Sequence, residues 1–374
     1  MTTKPLLSET ALTLKALCSS CGLQKNGTKP VLVQRLRHAA KQSQPIPSSA
    51  RILSIDLGLK NFAFSLISPA PTPKKQPPTS NDNDTPLNSP IRLHAWHRLD
   101  LTLPSSSSSS STTTTTTTTK KKPTTPTPPA PSETTEVAIA EEEAFSPTAL
   151  AALTTHLIKT HLLPLRPTHV LIERQRFRSA GAATVHEWTL RVNSLEAMLH
   201  AAFAALRGME GIGGVGSGSG SGGGSWEGRV ESVQPKMVAG FLFPVVGGGV
   251  EGGGDGDGEG GKKKGKNAAY TKLKREKVAM LGGFLEGGGM VVPEKGQAKE
   301  MVRLFVEGAA RKGKGGGRKK VAADKGVEGA AVEEMVTKID DLSDAVLQGM
   351  VWLQWRRNLE KLIKERPELL EKEE

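Results

Sequence analysis

The sequence is poor in apolar residues, in aromatic residues and in cysteine. Hydrophobic residues make up 36% of the 374 residues and aromatic residues 4%, whereas globular chains are typically roughly 45–50% apolar. The deficit predicts one packed core and one small N-terminal module, separated by stretches that cannot form a core. No apolar run approaches the ~20 residues of a transmembrane helix, and the N-terminus lacks an apolar signal-peptide segment. We therefore expect no membrane partner and no secretion.

The two cysteines, Cys18 and Cys21, stand close together in the segment CSSC. A structural zinc site usually needs four Cys or His ligands, and no second pair is visible. A redox CxxC pair normally opens a helix after a strand, and no predicted strand precedes this one. We interpret both cysteines as small apolar residues in or near a helix.

The charge balance is strongly basic, with a net charge of +12 and a pI near 9.6. Such a balance indicates a polyanionic partner, either nucleic acid or an acidic membrane surface. Much of the charge lies in lysine runs at 120–122, 262–264 and 312–320. These runs are typical of solvated tails, and they would also strengthen salt-sensitive DNA binding that is independent of sequence.

Residues 6–40 are predicted to form a compact helical module. Leu12, Leu14 and Leu17 mark one helix, and a second helical pattern runs over 29–39 after turn signals at Gly22 and Asn26-Gly27. The phrase LKALCSSCGLQKNGTKPVLVQRL resembles the SAP module, a small helical DNA-binding unit. A helical hairpin that merely docks on the core is the alternative interpretation.

The rest of the chain predicts an α/β fold, an RNase H-like mixed sheet flanked by helices, over residues 51–357. The pattern gives three strands, then helix, strand, helix, strand and further helices. Strands are predicted at 51–56, 62–68, 91–101, 168–173 and 229–233, and helices at 147–162, 184–206, 235–243, 268–281, 298–306 and 340–363. Low-complexity insertions, expected to be disordered, fall at about 104–135, 208–225, 247–266 and 311–330.

Acidic residues stand at the ends of predicted strands and at the start of the last helix. Asp56 and Glu173 each end a strand, and these two strands are neighbours in an RNase H-like sheet. Asp341 and Asp344 share a helix face, and so do Asp340 and Asp344, so helix phase alone does not choose between the pairs. Each acid taken singly is an ordinary loop or cap residue. Together they predict a site for Mg²⁺, with Mn²⁺ able to substitute, and for two ions per site, an arrangement suited to phosphodiester hydrolysis.

Five phrases, in this order, resemble the fungal mitochondrial Holliday junction resolvases, relatives of the bacterial RuvC type. They are IDLGLKNFAFSL, HVLIERQRFRSAG, HEWTLRVNSLEAML, VESVQP and KIDDLSDAVLQGMVWLQW. The resemblance implies a mitochondrial homodimer that nicks four-way junctions symmetrically. It also implies catalytic carboxylates at Asp56, Glu173, Asp341 and Asp344, with Asp340 as an alternative to Asp341 for direct contact with the metal.

Basic and polar residues close to these acids are candidates for DNA contact. Three arginines follow Glu173 almost directly, which suits phosphate binding beside the scissile bond; a solvated basic loop is the alternative. The candidate DNA-binding residues are Lys60, Asn61, Arg174, Gln175, Arg176, Arg178 and Lys338. An apolar stripe on the helix after Glu173 could pack on its own sheet or on a second subunit, and the resemblance favours a dimer interface at Trp188, Val192, Leu195 and Leu199.

The predicted function is metal-dependent, structure-selective cleavage of four-way DNA junctions. One alternative is another RNase H-like nuclease, such as one acting on RNA–DNA hybrids, but ribonuclease H carries its glutamate on a helix, whereas Glu173 ends a predicted strand. The other alternative is a DNA-binding protein without catalysis, which the intact acid set disfavours.

Overall fold

A computed structural model describes residues 6–70, 86–102, 145–175, 187–208, 226–244, 263–287, 289–313 and 339–371. The predicted insertions at 104–135, 208–225, 247–266 and 311–330 lie outside these residues, apart from short overlaps at their ends. All three overlaps are helical: one helix ends at Gly208, where the predicted second insertion begins, another begins at Lys263 within the third, and another ends at Gly313 within the fourth. The disorder of the insertions therefore stays a prediction.

The described part is built on a six-stranded mixed sheet with the strand order β5-β4-β1-β2-β3-β6. The strands are β1 (Ile52–Asp56), β2 (Phe62–Pro69), β3 (Ile91–Leu99), β4 (His169–Glu173), β5 (Arg229–Val233) and β6 (Val291–Pro293). β1, β2 and β3 form an antiparallel meander, while β4 and β5 run parallel to β1. The carboxyl ends of β1, β4 and β5 therefore lie at the same edge of the sheet, and the predicted mixed sheet is confirmed.

The strand β6 was not predicted from the sequence. Its three residues pair in parallel with the start of β3, and so short a segment leaves no alternation to recognise.

Helices cover both faces of the sheet. They are α1 (Ala11–Ser20), α2 (Lys29–Gln42), α3 (Pro147–Leu157), α4 (Glu187–Gly208), α5 (Pro235–Leu242), α6 (Lys263–Glu286), α7 (Gln297–Gly313) and α8 (Ile339–Glu365). Alternate residues of β1 point to opposite faces. Leu53 and Ile55 pack with α3 and α4, whereas Ile52 packs in a second core with α5, α7 and α8. Among the described helices, none is both long and apolar enough to cross a membrane.

Residues 6–42, called the SAP module below for the resemblance they carry, pack on the second half of α8. Leu14, Cys18 and Leu32 form a buried cluster with Leu359 and Leu362 of α8. Burial raises the pKa of the Cys21 thiol to about 11. Both cysteines are buried and unpaired, as expected for apolar core residues.

Candidate active site

Asp56 and Glu173 are brought together by the parallel pairing of β1 and β4. Ile55 lies opposite Ile172 in this register, so the two acids that follow end neighbouring strands side by side. The Glu173 carboxylate accepts the backbone N–H of Leu57 at 3.4 Å and the Gln175 amide at 3.3 Å. The predicted meeting of these two strand ends is therefore present in the fold.

The helix α8 is fixed in register on the sheet by polar contacts. The Ser65 hydroxyl donates to the carbonyl oxygen of Ala345 at 3.0 Å, and the Trp96 indole donates to that of Leu342 at 3.0 Å. One turn further along, the Gln348 amide donates to the Ser54 hydroxyl at 3.1 Å. Because Asp344 directly precedes Ala345, this register sets the height of Asp344 above β1 and β2.

Gly349 allows α8 to approach the sheet closely. A Cβ atom at this position would lie 2.9 Å from Ile67 Cδ1 and 3.3 Å from Ser54 Cβ. The first three turns of α8 therefore rest directly on β1 and β2, and they carry Asp341 and Asp344 to the carboxyl edge of the sheet.

The carboxylates at this edge repel one another. Burial raises the pKa of Asp56 well above its ordinary value, and a hydrogen bond with Glu173 and the charges of Glu173, Asp344 and Asp341 raise it further. Burial also raises the pKa of Asp344, with Glu173 adding to the rise. Such a cluster is costly unless a cation offsets its charge.

Two lysines of α6 supply part of that positive charge. Lys277 Nζ lies 2.7 Å from Asp344 Oδ1, and Lys274 Nζ lies 2.5 Å from Asp340 Oδ2. The Lys277 side chain is only 12% exposed, and its charge opposes the rise in the pKa of Asp344. Neither lysine is among the residues that the sequence predicts for the site. Their three-residue spacing on one helix face was a usable signal, but nothing in the sequence indicated which element that face would meet.

The donor set suits a hard divalent cation, because these side chains offer only oxygen ligands. In the present arrangement, no three His, Cys, Asp or Glu side chains of the described residues stand at the mutual spacing of metal ligands. Asp340 and Asp344 are paired with lysines instead, and the charge that acts on Asp56 comes from Glu173, Asp341 and Asp344. The acidic side chains at this edge therefore suit a metal ion in two ways: they offer oxygen ligands, and their negative charges outnumber the charges of the two lysines.

The predicted DNA-binding residues have varied surroundings. Lys60 Nζ lies 5.8 Å from the centre of the Trp188 ring, and the Asn61 side-chain oxygen accepts the Arg98 guanidinium at 2.7 Å. Arg174 is exposed beside Glu173. Gln175 donates its amide to Glu173 and its backbone N–H to Glu196 at 2.9 Å, so it helps to position a candidate catalytic acid. Arg176, Arg178 and Lys338 lie outside the described residues.

The predicted dimer-interface residues divide into two groups. Val192, Leu195 and Leu199 are buried in the chain's own core between α4, α3 and the sheet. The prediction that they face a second subunit is wrong for these three, because a helical stripe packs equally well on its own sheet. Trp188 is 40% exposed, so it stays available for contact with another molecule.

Comparison with known proteins gives one family match over most of the chain and a second over its N-terminal part. A family model described as "Mitochondrial resolvase Ydc2 / RNA splicing MRS1" matches residues 52–362, and a SAP domain model matches residues 11–41. The chain is 31% identical over 188 residues to "Cruciform cutting endonuclease 1, mitochondrial" of Schizosaccharomyces pombe. That match covers 50% of this chain and 53% of the relative, so the chain spans about half the length of this curated relative.

A solved structure shares the fold. It is titled "Crystal Structure of the Yeast Mitochondrial Holliday Junction Resolvase, Ydc2", and its TM-score to this chain is 0.50 with 22% sequence identity. The superposition covers 96% of this chain and 99% of the solved chain. At this identity the likeness speaks for the architecture alone.

Proposed function

Because the chain belongs to the family described as mitochondrial resolvase Ydc2 / RNA splicing MRS1, we propose that it is an endonuclease that resolves four-way DNA junctions in mitochondria. The observation that carries this proposal is the carboxylate cluster, to which β1, β4 and α8 each contribute. The mitochondrial relatives support the location. The SAP match supports DNA as the partner.

The acid cluster also supports one of the two activities that the family description names over the other. A protein that only binds a polyanion gains nothing from partly buried carboxylates at its binding edge, because they repel phosphate. A hydrolase needs such carboxylates to hold a cation. Burial and three other acids raise the pKa of Asp56, and so costly a cluster favours hydrolysis over a role in splicing without cleavage.

In the proposed mechanism, four carboxylates would hold Mg²⁺ or Mn²⁺, with two ions per site; they are those of Asp56, Glu173, Asp341 and Asp344. Bound there, the cation would supply a nucleophilic water near neutral pH and would neutralise charge on the leaving oxygen. Asp341 is preferred to Asp340 because its charge acts on Asp56, whereas Asp340 pairs with Lys274. Gln175 orients Glu173. Lys277, whose ammonium lies against Asp344, is placed to bind a phosphate oxygen of the cleaved strand.

The family resemblance also supports a homodimer that presents two such sites to one junction. In the described residues, Trp188 and Leu190 of α4 leave apolar surface exposed at 40% and 46%, and we propose this end of α4 as part of the subunit contact. Two sites related by a two-fold axis would match the near-symmetry of a four-way junction.

The test compares the wild-type chain with Asp56→Asn on an immobile four-way junction and on linear duplex of the same sequence. We expect paired symmetric nicks in the junction with Mg²⁺ and no nicks with EDTA. We expect junction binding without cleavage for Asp56→Asn, because the cluster loses a metal ligand while the basic surface stays intact.

Three outcomes would overturn this function. Equal cutting of junction and duplex would indicate a general nuclease. Binding of several junction sequences without any cleavage would indicate a nucleic-acid-binding protein, and cleavage of RNA–DNA hybrid in preference to the junction would indicate a ribonuclease H activity.

A further inference from the structure

We propose that the SAP module is a fixed second DNA contact, which holds one duplex arm of the junction at a set distance from the carboxylates. This inference rests on the proposed function and adds how the substrate is gripped. Three features of the described residues carry it: the charge of the module, the presentation of its lysines and its anchoring to α8.

The module has the charge of a polyanion-binding surface. From Thr10 to Gln42 the sequence contains no Asp or Glu. The same stretch has six basic residues, which are Lys15, Lys25, Lys29, Arg35, Arg37 and Lys41. Neutralising phosphates with such residues releases counterions and gives salt-sensitive affinity for duplex DNA without base contacts.

One of these lysines extends from a loop that is held in place, and a second begins the helix that follows. The Arg35 guanidinium donates to the carbonyl oxygens of Gln24 and Asn26, which flank Lys25. The Lys25 side chain is exposed, and Lys29 follows in the first turn of α2. The backbone is thus fixed on both sides of an exposed ammonium group, as suits a phosphate contact that sets position.

The module is anchored to the catalytic helix and is not a tethered arm. Gly22, at φ +70°, lies so close to the Trp355 ring that a Cβ atom would approach its carbon atoms to 2.4 Å. The Asn358 amide donates to the carbonyl oxygen of Ser20 at 2.7 Å, and Arg366 forms an ion pair with Glu9 at 2.7 Å. These contacts enclose the apolar cluster that the module shares with Leu359 and Leu362.

The anchoring sets a distance, because α8 carries the acids at one end and the module at the other. Trp355 and Leu362 stand 11 and 18 residues after Asp344. At about 1.5 Å per residue, they lie about 17 and 27 Å further along the helix axis. A turn of duplex DNA is roughly 34 Å. A duplex arm that runs alongside α8 would therefore meet the lysines of the module within about one turn of the scissile phosphate.

The experiment measures binding of the full chain, in EDTA, to junctions whose arms are closed by hairpin loops. Hairpin closure keeps short arms paired. We expect affinity to fall about tenfold when the arms are shortened from about 15 to about 5 base pairs, because the short arms end before they reach the module. The double variant Lys25→Glu/Lys29→Glu should bind long arms as weakly as the wild type binds short ones. The readout is dissociation constants from fluorescence anisotropy.

A matched control reverses the charge of two exposed lysines next to the edge strand β6. This variant, Lys295→Glu/Lys299→Glu, should keep the full dependence on arm length. Gly22→Ala keeps every lysine but forces the module off Trp355, and it should lose that dependence. Equal wild-type affinity for long and short arms would overturn the proposal. So would full arm-length dependence in Lys25→Glu/Lys29→Glu, or in Gly22→Ala, where it would indicate a tethered module.

These outcomes can be distinguished from a failure of the proposed function. Junction cleavage without any effect of arm length on binding overturns only the fixed contact. Binding that depends on arm length, by a chain that never cuts, leaves the fixed contact standing and overturns the nuclease.

Discussion

At the scale of single residues, Asp56 concentrates the electrostatic cost of the site. Its pKa lies well above the ordinary range because of burial and the neighbouring acids. Between the ordinary pKa of an aspartate and this raised value, the folded state binds more protons than the unfolded state. The free energy of unfolding of the metal-free protein should therefore fall as pH rises through that window.

Asp56→Asn removes this cost, so the metal-free variant should be more stable than the wild type at pH 8. We expect its Tm to be higher by about 2–4 °C, the change that roughly 1 kcal/mol produces in a domain of 150–250 residues. The difference should shrink at pH 4, where the wild-type cluster takes up protons. Added Mg²⁺ should raise the wild-type Tm at pH 8 and leave that of the variant nearly unchanged, as differential scanning fluorimetry would record.

Glu276→Gln provides the control, because Glu276 forms an exposed ion pair with Lys272 and such pairs contribute little to stability. If the Tm of metal-free Asp56→Asn were below that of the wild type at pH 8, the Asp56 carboxylate would stabilise the fold, and the expected charge repulsion would be contradicted.

At the scale of elements, the contact of α8 with the sheet decides where the acids stand. Gly349→Val would place branched carbons against Ile67 and Ser54. Overpacking of this kind costs about 1–3 kcal/mol, and it should also tilt the acidic end of α8. We expect a lower denaturation midpoint and a loss of junction cleavage larger than the loss of folded protein.

Gly240→Ala is the matched control, since a Cβ atom at this helical glycine would meet nothing within 4 Å. It should keep cleavage and leave stability equal or higher, because alanine favours a helix over glycine by about 1 kcal/mol. If Gly349→Val cleaved junctions as fast as Gly240→Ala per folded molecule, the register of α8 would not control the site.

The elements also show which parts of the fold could be read from the sequence. The strands ending at Asp56 and Glu173 were predictable because each is a short apolar run that ends in an acid. The orientation of α8 was not, because Asp340 and Asp341 both share a face with Asp344. That choice depends on Ser65 and Gln348, polar contacts between segments far apart in sequence that leave no local pattern.

The apolar stripe on α4 shows a second limit of prediction from the sequence. Val192, Leu195 and Leu199 have the spacing of an interface and the burial of a core, and spacing alone does not distinguish the two. The lysines of α6 show a third limit of such prediction. Lys277 can pair with Asp344 only when α6 packs against α8.

At the scale of the whole molecule, the proposed dimer predicts how the two cuts are linked in time. A supercoiled plasmid that extrudes a cruciform should be converted directly to linear product, because two sites on one junction cut both strands before the complex dissociates. Gel analysis of early time points would show linear plasmid accumulating without a preceding excess of nicked circles. Trp188→Glu places a charge on the exposed apolar end of α4 and should give nicked circles first. The same order of products in wild type and variant would contradict the dimer contact at Trp188.

The length of chain between the acids has a consequence for how the molecule is made. Asp56 and Asp344 are 288 residues apart in sequence, and the sheet between them can pair before α8 exists. During synthesis from the N-terminus, a growing chain exposes its basic SAP module early and its last carboxylates late. On the proposed function, a nascent chain would therefore bind nucleic acid before it could cut it, and cleavage would begin only once α8, the helix that also anchors the module, has formed.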